Sequence, residues 1–123
     1  MAYTCRVDAE VGRAVITLSG DVDGKTFIDA LHALRDDPDW VPGYARRWDA
    51  RAVASMTLSM PDVRALFQLL GDEQERIWSV RTAFVASRET DRMLFELFRA
   101  KTRWWPVRVF RSMEEAYVWL QEG

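Results

Sequence analysis

The sequence has one cysteine and one histidine, and this scarcity excludes several kinds of chemistry. Cys5 has no second cysteine with which to form an internal disulfide, and its alternation with Tyr3 and Val7 predicts a small buried side chain. His32 lies beside the apolar stripe of a predicted helix with no cysteine nearby, so the usual ligands of a zinc site are missing. The sequence also has no recognisable set of residues for a Ser-His-Asp triad. We therefore predict no metal, no cofactor and no catalytic residue.

Long apolar segments are missing as well. No stretch approaches the roughly 20 apolar residues that span a bilayer, and the first residues lack the apolar run of a signal peptide. Hydrophobic residues make up 49% and charged residues 29% of the 123 positions, which is the balance of an ordinary globular protein. We predict one domain over residues 1–123, without a transmembrane segment and located in the cytoplasm.

The formal net charge of -2 is unevenly distributed along the chain. Residues 1–75 contain 8 basic and 13 acidic side chains, whereas residues 76–111 contain 9 basic and 3 acidic ones. Such asymmetry is typical of a face for an anionic partner, and a mixed surface produces it equally often. The chain is acidic overall and has no recognisable nucleic-acid-binding motif, so we predict no specific nucleic-acid binding.

Apolar periodicity predicts the element order ββαβαβαβα. The predicted strands, of which the first two form an antiparallel hairpin, are residues 3–8, 14–18, 44–49, 80–86 and 106–110. Helix-opening residues followed by apolar residues at helical spacing predict four helices, capped by Asp23, Ser59, Ser87 and Ser112. Strands that alternate with helices imply parallel pairing through right-handed crossovers. The predicted fold class is α/β, with a mixed, mostly parallel five-stranded sheet packed with four helices.

Functional loops of such sheets gather at the carboxyl ends of the strands. The third strand is predicted to end at Asp49, and a polar loop then leads to a helix that opens at Ser59. Ser59 and Asp62, three residues apart, form a capping signature. The segment from Asp49 to Ser59 is therefore a candidate recognition or phospho-switch loop. Its candidate residues are Asp49, Arg51, Ser55 and Ser59.

Residues 19–26 (Ser-Gly-Asp-Val-Asp-Gly-Lys-Thr) look like a phosphate-binding loop between a strand and a helix. The required motif has four residues between its first glycine and Gly-Lys-Thr, and here there are three. Asp21 and Asp23 also place negative charge where phosphates need amide donors. We interpret the segment as an acidic loop in which Asp23 caps the helix. Capping and solvation explain Asp21, Asp23 and Asp49 better than acid–base catalysis does, since no apolar pocket is evident to raise a carboxyl pKa.

The third predicted helix has a wide apolar surface and is followed by cations and tryptophans. Its apolar residues, more than one sheet face requires, are Met93, Leu94, Phe95, Leu97 and Phe98. One interpretation buries Leu94, Leu97 and Phe98, with Trp105 closing the core. The other interpretation is an exposed surface for a protein partner, an anionic lipid or another amphiphile. The candidate residues of that surface are Phe95, Arg99, Lys101, Arg103 and Trp104.

Several segments, together with the element order, make the chain resemble the STAS superfamily, the domain of anti-sigma factor antagonists and sulphate-transporter tails. These segments are residues 14–20, 48–51, 81–86, 107–110 and 113–116. The chain is similar in particular to small stand-alone bacterial STAS-like proteins, which are sometimes grouped with CRAL-TRIO lipid-transfer domains. The resemblance implies a non-enzymatic regulatory or protein-interaction module, whose partner is another protein or a second copy in a homodimer. The alternative function is lipid or amphiphile binding at a membrane surface.

The resemblance also implies a site for regulation. In anti-sigma factor antagonists the third strand leads to an Asp-Ser-Ser/Thr-Gly motif, and a serine there is phosphorylated by the partner kinase. Asp49 matches the aspartate, whereas Ala50 and Arg51 stand where the motif has hydroxyl residues. A phosphate on Ser55 or Ser59 would add about -1.5 to -2 charge and pair with Arg51. In the alternative interpretation Ser59 only caps its helix.

Overall fold

The computed structural model describes residues 2–41, 44–72, 81–101 and 106–121. Its elements in chain order are β1 (Tyr3–Asp8), β2 (Arg13–Asp23), α1 (Gly24–Asp36), β3 (Ala45–Thr57), α2 (Met60–Asp72), β4 (Thr82–Val85), α3 (Glu89–Lys101), β5 (Val107–Phe110) and α4 (Met113–Gln121). This order confirms the predicted ββαβαβαβα pattern and the α/β fold class. None of the four described helices is long and apolar enough to cross a membrane.

The five strands form one sheet in the order β1-β2-β3-β4-β5. β1 and β2 pair as an antiparallel hairpin, and each later pair of neighbours is parallel. Right-handed crossovers that advance in one direction across a sheet place their helices on one face, and α1, α2 and α3 share a core there. α4 follows the last strand and packs on the opposite face.

The larger core lies between the sheet and helices α1 to α3 and is built around stacked aromatic rings. Trp48 is 1% exposed and stacks on Phe27, with ring centroids 4.8 Å apart. Phe95 stacks on Phe84 with a centroid separation of 4.2 Å. Ring stacking adds to the free energy gained by burying these large side chains. The smaller core joins α4 to β4 and β5 through Ala83, Val85, Phe110, Ala116 and Leu120.

β2 and β3 are longer than their apolar patterns predict. β2 continues to Asp23, and β3 continues past Asp49 to Thr57. Two register shifts, each with one additional residue on β3, interrupt the alternation of buried and exposed side chains. Gly20 lies at the second shift with a φ of +68°, a conformation that favours glycine. The prediction that a loop runs from Asp49 to Ser59 was therefore wrong, because the bulges hide the period-two signal of the strand.

Capping side chains determine where α1 and α4 begin, as the sequence predicts. The Asp23 carboxylate accepts a hydrogen bond from the Thr26 N–H at 2.8 Å. The Ser112 hydroxyl accepts one from the Glu114 N–H at 3.1 Å. These bonds satisfy amide donors that have no partner inside the helix.

The start of α3 differs from the prediction. The helix begins at Glu89, and its first backbone hydrogen bond runs from the Arg92 N–H to the Arg88 carbonyl at 3.1 Å. Arg88 therefore occupies the N-cap position, and the prediction of Ser87 as the cap was wrong by one residue. The displacement brings the Arg88 side chain to the edge of the sheet.

Candidate functional site

The carboxyl edge of the sheet is extended by a projecting pair of strands. β4 pairs with β3 only from Arg46 to Asp49, whereas β2 remains paired with β3 as far as Thr57. Residues 19–23 of β2 and 50–57 of β3 thus form a two-stranded extension, which we call the β2–β3 ribbon. Among the described residues, the side of the ribbon's β3 that faces away from β2 pairs with no other strand. An unpaired strand edge presents backbone donors and acceptors for another chain.

Asp49 and Arg51 form a two-point ion pair at the base of the ribbon. The Arg51 Nε donates to Asp49 Oδ1 at 2.9 Å, and a terminal guanidinium nitrogen donates to Oδ2 at 2.9 Å. The Arg51 backbone N–H also donates to Oδ1 at 3.1 Å. Burial raises the pKa of Asp49, but the hydrogen bonds and charge of Arg51 outweigh it and the pKa falls below 3.8. The pair stabilises the strand and leaves the guanidinium exposed, in a position where the sequence predicted a loop.

The Asp49–Arg51 pair predicts a pH-dependent loss of stability. Asp49→Asn should lower the free energy of unfolding at neutral pH by about 1 kcal/mol, because two charge-assisted bonds are weakened and Arg51 is partly solvated. The folded pKa of Asp49 is the lower one, so its contribution is complete above 3.8 and is lost as the pH falls through the folded value. Urea unfolding at a series of pH values measures the difference between wild type and variant. That difference should shrink below pH 3.8.

The matched control for this prediction is Asp29→Asn. Asp29 also forms an ion pair, in which Lys25 Nζ lies 3.0 Å from Asp29 Oδ2. Both side chains of this pair are solvent-exposed. An exposed pair contributes little to stability, so this variant should change it much less. Equal effects of the two substitutions at every pH would contradict the assignment of a structural role to Asp49.

Ser55 and Asp21 tie the two strands of the ribbon together. They are register partners, and the Ser55 hydroxyl donates to Asp21 Oδ1 at 2.7 Å. The bond joins residues that are 34 positions apart in the chain. The Ser55 hydroxyl therefore has a carboxylate as its acceptor and a structural role within the ribbon.

Ser59 and Asp62 open α2 with the predicted capping box. The Ser59 N–H donates to Asp62 Oδ2 at 2.9 Å, and the Asp62 N–H donates to the Ser59 hydroxyl at 3.2 Å. Each residue satisfies an amide of the other, and the capping interpretation of Ser59 is confirmed. The Ser59 residue is exposed, so the hydroxyl also lies at the surface of the carboxyl edge.

Arg88 connects the ribbon to the start of α3, a contact that the sequence did not predict. Its guanidinium donates to the Ala54 carbonyl in the ribbon and to Thr90 Oγ1, the latter at 3.4 Å. Its Nε also lies 3.7 Å from Asp91 Oδ2. The only sequence signal for this connection is the position of an arginine between a buried strand and a helix. A partner 34 positions away leaves no periodic pattern.

Asp91 is the one acidic side chain among the described residues that is nearly inaccessible to solvent, at 2% exposure. Its Oδ2 accepts no hydrogen bond from the described residues, and the Arg88 Nε is too distant to donate one. Burial raises the pKa of Asp91, while the charges of Arg88 and Arg92 act in the opposite direction. Arg92 itself donates to the carbonyls of Ala86 and Ser87, at 3.0 and 2.7 Å. The strand-to-helix turn is thus held by two arginines.

A groove of about 990 Å³ lies beside this turn, between the ribbon, α3 and the end of β5. Its apolar lining consists of Met56, Leu58, Met93, Leu94, Leu97 and Val109. Its charged lining consists of three arginines, Arg88, Arg92 and Arg111, and three acidic residues, Glu89, Asp91 and Glu96. Met93 and Leu97 are 62% and 59% exposed, so the groove is open along the outer side of α3. An apolar groove lined by charges of both signs suits an apolar side chain or an acyl group that is attached to a polar group.

One residue of the predicted partner surface on the third helix is buried. Phe95 is 0% exposed and packs against Phe84, so its assignment to the surface was wrong. Leu97, which one interpretation placed in the core, faces solvent instead. Residues 93–98 are apolar at five of six positions, so the sequence does not indicate which of these side chains face the sheet. Arg99 and Lys101 are exposed, and Arg99 lies 3.2 Å from Glu96.

The structure describes only some of the other residues that the sequence analysis singles out. Arg103, Trp104 and Trp105 lie outside the described residues. Cys5 and His32 are half-buried in β1 and α1, and burial raises the pKa of the Cys5 thiol. No group of three or more metal-ligating side chains occurs in the described parts of the chain.

Known proteins resemble this chain in structure and not in sequence. No protein-family model matches it, and no curated protein matches its sequence. An uncharacterised DUF3478 protein from Shewanella loihica PV-4 with a SpoIIAA-like fold superposes with a TM-score of 0.64 at 13% identity, over 97% of this chain and 92% of that one. The anti-sigma factor antagonist SpoIIAA in its unphosphorylated form superposes with a TM-score of 0.59 at 16% identity, over 99% of both chains. The chain therefore has a SpoIIAA-like fold, which agrees with the fold that its sequence resemblance implies.

Proposed function

We propose that the chain is a non-enzymatic regulatory module of the STAS type that binds a protein partner through the β2–β3 ribbon. The supporting observation is the side of β3 beyond Asp49 that pairs with no strand in the described part of the chain. An extended segment of a partner can add to such an edge through backbone hydrogen bonds. Side chains of that segment would enter the adjoining groove of about 990 Å³.

The polar groups of the carboxyl edge support a role in recognition. Asp49 is bonded to Arg51, Ser55 to Asp21, and Ser59 to Asp62. Each serine hydroxyl is thus held by a carboxylate or a helix amide, and no histidine lies in the ribbon to act as its base. A second copy of the chain offers the same open edge, so self-association into a homodimer is one form of the proposed contact.

Phosphorylation remains a proposal for the two serines, and the surroundings favour Ser59. Phosphate on Ser55 would remove the hydrogen that the hydroxyl donates to Asp21 and would place negative charge beside that carboxylate. Phosphate on Ser59 would lie at the positive end of α2, where negative charge is favourable. In this proposal Ser59 regulates docking and Ser55 maintains the ribbon.

Site-specific photo-crosslinking in the native host tests the proposed docking edge. A photoreactive residue at Ala52, which is exposed on the ribbon, should yield a discrete protein adduct. The control position is Glu10, which is exposed in the turn between β1 and β2 at the opposite end of the sheet. An adduct of twice the chain mass would identify the homodimer. Equal yields of adduct from both positions, or no adduct from Ala52, would contradict the proposal.

A second candidate function is the binding of an amphiphile at a membrane surface. The observation that favours it is the groove, in which six apolar side chains adjoin three arginines and three acidic residues. Exposed Lys101 and Arg99 on the same helix would add to attraction by anionic lipids. Anionic vesicles should retain the protein at low salt, and Leu97→Glu should reduce that retention. Failure of anionic vesicles to retain the wild-type protein at low salt would exclude this function.

A further inference from the structure

The face of the sheet opposite α1 to α3 is only partly covered. α4 packs on β4 and β5, and the outward side chains of β1 and β2 are exposed or half-buried. Arginines lie on each of the first three strands of this face. Arg6 on β1 and Arg47 on β3 are the register partners of Val15 on β2. Arg13 precedes Val15 by two residues and lies on the same face. This surface is distinct from the groove and from the β2–β3 ribbon.

Arg13 and Arg47 share one aromatic ring of α4. The guanidinium carbon of Arg13 lies 4.4 Å from the centroid of the Tyr117 ring, and that of Arg47 lies 5.9 Å from it. Two cations are thus held close to the same tyrosine. Stacking on a ring uses the flat face of a guanidinium and leaves the N–H groups at its edge for an oxyanion.

The described residues provide no carboxylate partner for these two cations. Neither Arg13 nor Arg47 forms an ion pair with a described residue. Asp49 is engaged by Arg51, and Asp8 accepts the Glu10 N–H at 3.1 Å. Burial above all, and then the charge of Arg13, lower the pKa of Arg47, while Asp49 and Tyr117 act in the opposite direction. The Arg47 Nε is also buried without a hydrogen-bond acceptor among the described residues.

A pocket of about 460 Å³ opens beside Arg47 and Tyr117, and Arg13 adjoins it through its contact with the Tyr117 ring. It is lined by Arg47, Met113, Glu114, Tyr117 and Val118. Two forked cations match the oxygens of a phosphate group, and the apolar lining matches an organic substituent. We propose that Arg13 and Arg47 bind the phosphate group of a small organic phosphate in this pocket, the Arg13–Arg47 site.

Glu114 is the one member of the pocket lining that opposes an anion. Its charge lies in the first turn of α4, where the positive end of the helix favours it. Glu114→Gln should therefore strengthen phosphate binding, whereas loss of either arginine should weaken it. Net charge alone predicts the same two directions, so the comparison with Arg108→Gln, which removes the same charge outside the pocket, distinguishes the proposed site from a general charge response.

Phenyl phosphate and inorganic phosphate are suitable probes, added at constant ionic strength and followed by NMR shifts of the backbone amides. Phenyl phosphate should perturb residues around Tyr117 in a saturable manner and bind more tightly than inorganic phosphate. Arg13→Gln and Arg47→Gln should each reduce the affinity about tenfold or more, because a charge-assisted hydrogen-bond partner is lost. If either glutamine variant fails to fold, Arg→Lys at that position keeps the charge, loses the fork and should still bind more weakly.

Arg108→Gln is the matched control. Arg108 is an arginine stacked on aromatic rings, 5.4 Å from the Phe110 centroid and 5.8 Å from that of Trp119. It shares the Trp119 ring with Arg81, 5.0 Å away, but it does not line the pocket. Its substitution should leave phenyl phosphate binding unchanged. Absence of saturable binding, equal affinity for the two phosphates, or equal losses in the Arg108 and Arg47 variants would overturn the proposal.

Discussion

Phe95→Ala is expected to lower the free energy of unfolding by about 3–5 kcal/mol, the range for removing a large aromatic side chain from a core. Phe95 is 0% exposed and its ring packs against those of Phe84 and Phe27, with centroids 4.2 and 6.3 Å away. The alanine variant would lose this packing and leave a cavity between α3 and the sheet. Urea unfolding followed by circular dichroism measures the difference.

Leu97→Ala provides the matched control on the same helix. Leu97 lies two residues further on and is 59% exposed, so its truncation should change the free energy of unfolding by less than about 0.5 kcal/mol. A large effect at Leu97 with a small one at Phe95 would reverse the orientation of α3. That result would restore the sequence-based assignment of Phe95 to the partner surface.

Gly24→Ala is expected to destabilise the protein by about 2–4 kcal/mol, since it adds a core clash and disrupts a helix cap. A Cβ atom at Gly24 would lie 2.6 Å from the Cβ of Asp62, which no rearrangement of a flexible side-chain tip can relieve. Asp62 would have to move, and its bond to the Ser59 N–H at 2.9 Å would be lost. Thermal unfolding and urea unfolding both report this effect.

Gly71→Ala is the control for the glycine prediction. Gly71 lies near the end of α2, and a Cβ added there meets no atom within 4 Å. Alanine is the better helix former, so this variant should gain up to about 1 kcal/mol. Opposite signs at positions 24 and 71 are therefore expected. Stabilisation by both substitutions would contradict the close packing of α1 against α2.

The sequence predicts most of the fold because local signals agree with the final structure. Asp23, Ser59 and Ser112 each precede an apolar stripe at helical spacing, and each caps the helix that follows. The buried run of β4, from Thr82 to Val85, is short and mostly apolar, as is typical of an inner parallel strand. Agreement of capping, periodicity and chain order is what makes the topology predictable.

The candidate site was less predictable because its contacts join distant parts of the chain. The Asp21–Ser55 bond and the Arg88–Ala54 contact each link residues 34 positions apart, and neither has a sequence signature. The bulges of β3 also convert its alternating pattern into one that resembles a polar loop. In α3, five apolar residues within six positions identify a helix but not the face that it buries.

The structure changes the meaning of the segment between Asp49 and Ser59. A flexible loop would present its side chains for recognition or modification. A paired strand also presents a backbone edge with which no described strand pairs, and its Asp49 and Ser55 side chains are bonded to Arg51 and Asp21. The proposed docking mode follows from this difference, because a rigid edge loses little conformational entropy on binding.

Residue-resolved amide hydrogen exchange along β3 tests the docking proposal most directly, in the free protein and in complex with the partner captured by crosslinking. Amides of residues 50–57 that face away from β2 should exchange quickly in the free protein and slowly in the complex. Amides of the turn between β1 and β2 should be unchanged by the partner. Slow exchange on both sides of residues 50–57 in the free protein, or partner-induced protection confined to the opposite end of the sheet, would contradict the account.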